Sequence, residues 1–320
     1  MSKALLAKNT KNPFVKEFIK NKALFLMILP GTLLFLILNY LPMPGVLIAF
    51  KDMKFFSNNL FTNFFRSDWI LFENFKFFIN SPDAFLITRN TILYNLAFIV
   101  IGNVIAVVFS IMLDEVRNKH FVKFYQSSLL LPYILSWIIL SYILYGFLSP
   151  DLGFINKGIL EPLGIHPIMW YSETKYWPYI LFLLNTLKYT GYNTIIYLSA
   201  ITSIDESYYE AAAIDGASKM QQIRKITVPM LSGIVIVMVL LGIVRIFNSD
   251  FGLFFLTPME SGALFDVTNV IDTYVFRALR GTGDIGMSAA AGLYQSAMGF
   301  ICIMTANWLV KRYDSEKALF

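Results

Sequence analysis

Residues 201–230 read ITSIDESYYEAAAIDGASKMQQIRKITVPM, a polar interruption between two long apolar runs, 178–200 and 231–256. Ser207 stands three residues before Glu210, the spacing of a capping box, and the run EAAAI that follows favours helix. Gly216 tolerates a left-handed backbone, so it can end one short helix and let a second begin near Ala217, with Ile223 and Ile226 on one face. Pro229 suits the first turn of the next helix, where its missing N–H is no loss. The stretch therefore predicts a helix–turn–helix at a membrane surface. By its physics alone it either links two spans or offers a docking element.

Four further runs, 23–42, 88–113, 126–148 and 287–310, reach the length that a bilayer core demands, about 20 apolar residues in helical form. The whole chain of 320 residues agrees, being 57% hydrophobic, 16% aromatic and 15% charged, with a mean hydropathy of +0.60. A soluble domain is excluded on that composition. The run at 23–42 follows a lysine-rich leader and lacks a small-residue cleavage site, which predicts a retained anchor rather than a signal peptide. Net charge is +5, but the cations sit in short blocks between apolar runs, unlike a nucleic-acid module. Cys302 is the single cysteine, so an internal disulfide and a Cys-based metal site are both excluded. His120 and His166 lack ligand-like spacing, no metal site is expected, and the Asp and Glu residues form no recognisable catalytic pair.

With six spans both termini share a side. That side carries Lys3, Lys8, Lys11, Lys16, Lys20, Lys22, Arg117, Lys119, Lys123, Lys219, Arg224, Lys225, Lys311, Arg312 and Lys317. The opposite loops carry Lys51, Lys54, Arg66, Lys76, Lys157, Lys175, Arg277 and Arg280, spread over longer segments. The positive-inside rule places both termini in the cytoplasm. The expected division is a tail at 1–22, a membrane domain at 23–310 that includes the loop 201–230, and a tail at 311–320. Within the outward segment 43–87, FFSNNLFTNFF at 55–65 is too aromatic for a disordered linker and predicts a packed cap. Pro150, Gly153, Gly158, Pro162, Gly164 and Pro167 punctuate 149–177 into turns and short helices.

Glu210-Ala211-Ala212, Asp215-Gly216-Ala217, Ile226 and Val228-Pro229 resemble the EAA loop of binding-protein-dependent ABC importer permeases. That pattern is Glu-Ala-Ala, three residues, Gly, nine residues, Ile, one residue, Leu-Pro; every spacing fits, with Val228 where Leu is usual. NYLPMPGVLIAFKD at 39–52, ENFKFF at 73–78, RNTILYN at 89–95, LPYILSWIIL at 131–140 and ANWLVKR at 306–312 extend the resemblance to the polysaccharide-type, LplB-like group of carbohydrate uptake permeases. The resemblance implies an all-α polytopic protein with the type I ABC importer permease fold: six transmembrane helices, the first peripheral, and a cytoplasmic EAA coupling helix docking on an ATPase. It also implies a bacterial plasma (inner) membrane location and four kinds of partner: a second homologous permease, two ATP-binding subunits that hold ATP and Mg, an extracytoplasmic solute-binding protein, and an oligosaccharide substrate. No cofactor on this chain is implied.

In physical terms Ala211, Ala212 and Ala213 permit close approach, Glu210 can meet a cation, and Gly216 holds the bend. A second set lies in the run 178–200, where Asn185, Lys188, Tyr189, Tyr192 and Asn193 fall on one helix face. Polar groups at membrane depth face protein or a water-filled path. Amides and tyrosine faces suit sugars; packing against a partner, with Lys188 reaching a carboxylate or snorkelling, explains them equally well. In 231–256, Arg245, Asn248 and Ser249 share a face with Asp250 one step round; they line the pathway or form a structural ion pair, since a buried Arg needs a carboxylate or carbonyl partner, either Asp250 or a group of another span. Asn95 and Asn103 fit interhelical hydrogen bonding or pathway lining. Ser288, Gly292 and Ser296 have the spacing of close helix packing, and Pro132 predicts a kink.

The chain lacks a Gly-Lys dipeptide and hence a Walker A loop, so an ATP-driven transporter must recruit its ATPase in trans. An ion-coupled secondary transporter, the rival class, would show inverted repeats and carboxylates near the midplane; a membrane-bound enzyme would show a cluster of His, Asp or Glu. Neither pattern is evident.

Overall fold

The computed structural model describes residue 17 and residues 20–54, 56–77 and 81–319. Lys3, Lys8, Lys11 and Lys16, which entered the reading of orientation, lie outside the described residues. Helix α1 (Lys22–Phe35) continues through wider and tighter turns to Phe50. This span of 29 residues has none of its apolar window buried inside the chain, as a peripheral first helix would. The expected cap follows. Strands β1 (Lys51–Asp52) and β2 (Asp68–Trp69) pair antiparallel, with Lys51 opposite Trp69, and enclose helix α2 (Leu60–Arg66). The Lys51 ammonium is buried; it donates to the carbonyls of Phe64 and Ser67, both at 2.8 Å, and lies 4.8 and 4.4 Å from the ring centroids of Phe64 and Trp69.

Helix α3 (Pro82–Asp114) opens on Ser81, whose hydroxyl accepts the Asp83 N–H. Helices α4 (Lys119–Ile134) and α5 (Trp137–Leu148) meet at 96°, so the expected span 126–148 is two helices. The break falls at Leu135–Ser136, beyond Pro132, because Leu135 is extended and Ser136 caps the next helix by accepting the Ile139 N–H. Helix α6 (Trp177–Ile201) packs between α3 and α4. A Cβ on Gly191 would stand 1.9 Å from the Leu129 carbonyl oxygen, so the α4–α6 contact requires glycine there. In lipid such contacts rest on close packing rather than on a hydrophobic drive.

Next come α7 (Glu206–Ile214), the short α8 (Lys219–Gln222) and α9 (Val228–Val244). The expected span 231–256 is not one helix: α9 stops at Val244, and residues 245–250 are irregular. Hydropathy carries on through Phe251–Leu256, but the backbone is drawn off course by polar groups of other elements. Asn95 donates to the carbonyls of Ile246 and Asn248 at 2.9 and 3.1 Å, and Asp272 accepts the Ser249 N–H at 2.7 Å. Helix α10 (Ile271–Thr282) packs on α3 and α11 (Ile285–Tyr313), with Ile271 buried against Ile87 and Phe247. Beyond α11 the residues Ser315–Lys317 turn back, and the Leu319 N–H donates to Asn307.

Among the described residues, four helical stretches have the length and apolarity to cross a membrane: Lys22–Phe50, Asp83–Asp114, Lys219–Val244 and Ile285–Tyr313. The bent α4–α5 pair makes a fifth. Helix α6 has 25 residues but is diluted by its polar stripe. Its buried side, including Trp177, Leu181, Leu184 and Lys188, is shielded by neighbouring helices. The small-residue spacing of Ser288, Gly292 and Ser296 does not bring helices together within the chain, since a Cβ on Gly292 would meet nothing within 4 Å. The close contacts on α11 are at Gly286, against Asn74 of the cap, and at Gly299, against the Val244 carbonyl.

Candidate functional site

The elbow formed by α7 and α8 is held at every end by short-range hydrogen bonds. Asp205, not Ser207, is the N-cap of α7: its Oδ1 accepts the Ser207 N–H at 2.9 Å, so the helix starts at Glu206 and the expected Ser207–Glu210 box does not form. This backbone hydrogen bond holds the Asp205 carboxyl below the usual carboxylate range. At the other end Gly216 takes φ +78°. The Ala217 N–H donates to Ala212 at 2.9 Å and the Gly216 N–H to Ala213 at 3.0 Å, with Asp215 as the C-cap. This is the paired closure that glycine permits. Ser218 and Gln221 then cap α8 reciprocally, which starts it at Lys219 rather than near Ala217.

From α8 the chain runs through a wide turn, Ile223–Thr227, straight into α9. Pro229 is the second residue of α9, in its first turn as expected, and the wide turn makes α8 and α9 one continuous stretch of 26 residues. The wide turn is the kind of local adjustment that accommodates a proline ring. Ile226 is half-buried in that turn, and Pro229 is exposed. A cleft of about 370 Å³ separates the elbow from the ends of α3 and α6, bridged by Lys219 to Glu115 at 3.3 Å; within the elbow Tyr209 bonds Thr227 at 2.9 Å. No residue of α7 is buried. Glu210, Ala211 and Asp215 are exposed and Ala212 and Ala217 half-buried. Ile214, which the sequence reading passed over, is 87% exposed at the tip; its place as the last apolar residue of EAAAI is the signal that could have found it.

The second set of predicted residues is divided by the structure. Lys188 is buried rather than snorkelling outward, and it pairs with no carboxylate among the described residues. It donates to the carbonyls of Tyr133 and Leu135 at 3.3 and 2.5 Å, the open end of α4, and sits 5.0 Å from the Trp137 ring centroid. A cation is well placed at a helix C-terminus. Asp250 gathers the facing groups: its Oδ2 accepts Trp137 Nε1–H at 2.8 Å and Tyr189 O–H at 2.5 Å, while its Oδ1 accepts the N–H groups of Gly252 and Leu253. One carboxylate thus ties the start of α5, the middle of α6 and the chain beyond α9. Trp137 and Asp272 were missed as members of this junction, although Trp137 lies within LPYILSWIIL.

Tyr192 stacks on Tyr133 at 4.8 Å and stays partly exposed. Asn185 and Asn193 are half-buried, with no side-chain hydrogen bond among the described residues. Arg245 is exposed rather than buried and makes no ion pair among the described residues, and Asn248 is exposed and offers its carbonyl to Asn95. The expected shared face of Arg245, Asn248 and Ser249 does not exist, because the helix has ended. Asn103 accepts the Tyr197 hydroxyl, which joins α3 to α6.

The family described as binding-protein-dependent transport system inner membrane component matches residues 99–315. Protein LplB of Bacillus subtilis (strain 168) is 33% identical over 297 residues, 93% of this chain and 91% of that protein. The polygalacturonan/rhamnogalacturonan transport system permease protein YteP of the same organism is 32% identical over 313 residues, 98% of this chain and 95% of its own length. The crystal structure of a bacterial alginate ABC transporter, in complex with an alginate pentasaccharide-bound periplasmic protein, contains a chain that superposes with a TM-score of 0.81 at 26% identity, over 93% of this chain and 97% of that one.

Proposed function

Since the chain belongs to the family of binding-protein-dependent transport system inner membrane components, we propose that it is the membrane permease subunit of an ATP-binding-cassette importer for oligosaccharides. It is a transport subunit, and ATP hydrolysis belongs to a separate ATPase. Six membrane passes are reached by counting the four apolar helices, the bent α4–α5 pair and α6, with both termini cytoplasmic in the bacterial plasma membrane. A second, homologous permease completes the pathway, two ATP-binding subunits drive it, and an extracytoplasmic binding protein delivers the glycan. The similarity to YteP and to the alginate transporter supports a polymeric sugar as cargo.

The observation that carries this reading is the elbow: an EAA sequence, rigidly capped, with no buried residue in α7, at the end of the bundle away from the cap. Glu210, Ala211 and Ala212 form the docking face, and Asp215, Gly216 and Ala217 form the bend. Ile226 and Pro229 lie where the elbow becomes α9. Motion imposed on α7 passes through this continuous helix to residues 245–250, and from Asp250 to Trp137 and Tyr189. A rigid displacement of the elbow therefore reorients α5 and α6, as alternating access requires. Tyr192, Asn185, Asn193, Arg245 and Asn248 are the pathway candidates left with free polar or aromatic surface. The test is co-purification of the tagged chain from mild detergent with an ATPase assay. Recovery of an ATPase and a second permease, with the ATPase lost on Glu210→Lys or Gly216→Pro while the chain stays in the membrane, is the expected result. Normal uptake in both variants would overturn the assignment.

A further inference from the structure

At the cap end of the bundle, away from the elbow and the α4–α5 junction, a cavity of about 400 Å³ opens between the first turn of α3, the turn Phe265–Asn269 and α10. Asp83, Phe265, Asp266, Asn269, Tyr274 and Arg277 line it. The floor is fixed by α3. Asn90 donates to the carbonyls of Asp266 and Asn269 at 3.1 and 3.0 Å, Tyr94 donates to the Val267 carbonyl at 2.9 Å, and Thr91 accepts the Ile271 N–H at 3.0 Å. The walls are held as well. The Arg277 guanidinium lies 4.2 Å from the Phe265 ring centroid and donates to Asn269 and Thr273. Tyr274 stacks on Phe77 of the cap at 4.9 Å. A site whose side chains are locked before a ligand arrives loses little entropy on binding.

Two exposed carboxylates, one guanidinium, one amide and two aromatic rings around a cavity of this size form a donor and acceptor set for vicinal hydroxyls, with apolar surface for the ring carbons. The two carboxylates accept from hydroxyl groups, and the guanidinium donates to ring and glycosidic oxygens. The charge balance, two acids against one base, disfavours an anionic sugar, whose carboxylate would face Asp83 and Asp266. We propose that this cavity is an entry subsite for a neutral sugar unit and that it selects against uronates. The ligand class rests on the importer reading; the location and the charge preference rest on the cavity alone. The preference differs from the polygalacturonan and alginate named for YteP and the alginate transporter.

The experiment is ligand-observed saturation-transfer NMR on the purified full chain in lipid nanodiscs, without its ATPase. The probes are the neutral trisaccharides of glucose, mannose, xylose and arabinose, with trigalacturonate beside them. At least one neutral probe should bind, its affinity should fall about tenfold in Arg277→Gln, and trigalacturonate should bind only in Asp83→Asn/Asp266→Asn. Both acids are exposed, so the double variant should fold. Binding of no neutral probe, neutral binding unchanged in Arg277→Gln, or equal binding of trigalacturonate to the unmodified chain would overturn the proposal. The ATPase pull-down would be untouched by any of these outcomes, which keeps the two readings separable.

Discussion

The elbow and the α4–α5 junction are both built from polar groups, yet they are organised in opposite ways. In the elbow every hydrogen bond that shapes the backbone spans a few residues, from Asp205 to Ser207, from Ala217 to Ala212, and from Ser218 to Gln221. No side chain of α7 is buried. In the junction the bonds span long stretches of chain, from Lys188 to Leu135 and from Trp137 to Asp250, and the groups are turned inward. Local bonds make a rigid piece that can move as a body. Long-range bonds fix how the pieces meet. A transporter needs both, and substitutions should separate them: junction variants should cost folding, and elbow variants should cost coupling.

The largest loss of stability is expected at Gly191→Ala. With Leu129 backbone in the way, α4 and α6 must part, at a cost of about 3 kcal/mol, read as a lower midpoint in thermal unfolding followed by tryptophan fluorescence. Asp250→Leu comes next. It strands Trp137 Nε1–H and the Tyr189 hydroxyl, costing about 2–3 kcal/mol, and the combined Trp137→Phe/Tyr189→Phe background should recover part of that loss. Lys188→Met opens the end of α4 for about 2 kcal/mol and should speed hydrogen exchange around the bend. Ile214→Ser should change stability by less than about 0.5 kcal/mol while weakening ATPase association. The smallest effect belongs to Asp205→Ala, which should speed exchange of the amides at 206–209 without unfolding the chain. In the unmodified protein the Asp205 carboxyl is held low, so its contribution is complete above the ordinary carboxylate range and is lost as pH falls through the depressed value. Faster exchange of those amides in acid is the matching observation.

The same contrast explains what could be read from the sequence. The elbow was legible almost in full because its signals are local: Gly216 as the left-handed exit and the EAA spacing stood in a single stretch of chain. The capping residue of α7 and the start of α8 were misplaced, the first because Asp205 and Ser207 are both good caps and the choice between them depends on the entry angle of the chain, the second because Ser218 caps α8. The spans were legible by length, except where distant groups intervene. Nothing in LSWIIL says that Lys188 will hold the broken end of α4, and nothing in RIFNSDFGLFFL says that Asn95, Asp272 and Gln295 will stop α9 at Val244. The polar stripe of α6 was correctly placed on one helix. Its division into a buried clamp at Lys188 and an exposed stack at Tyr192 depends on the neighbours that cover each part.

The most direct test of the central claim uses the fact that Cys302 is the single cysteine. In a Cys302→Ser background, Ala211→Cys on the elbow and Phe61→Cys on the cap would each be treated with a short bifunctional crosslinker in membranes that contain the partner subunits. The expected result is an adduct with the ATPase from position 211 that depends on nucleotide state, and none from position 61. An ATPase adduct from position 61, or none from position 211 in any nucleotide state, would contradict the assignment of the elbow as the point where ATP hydrolysis meets the membrane.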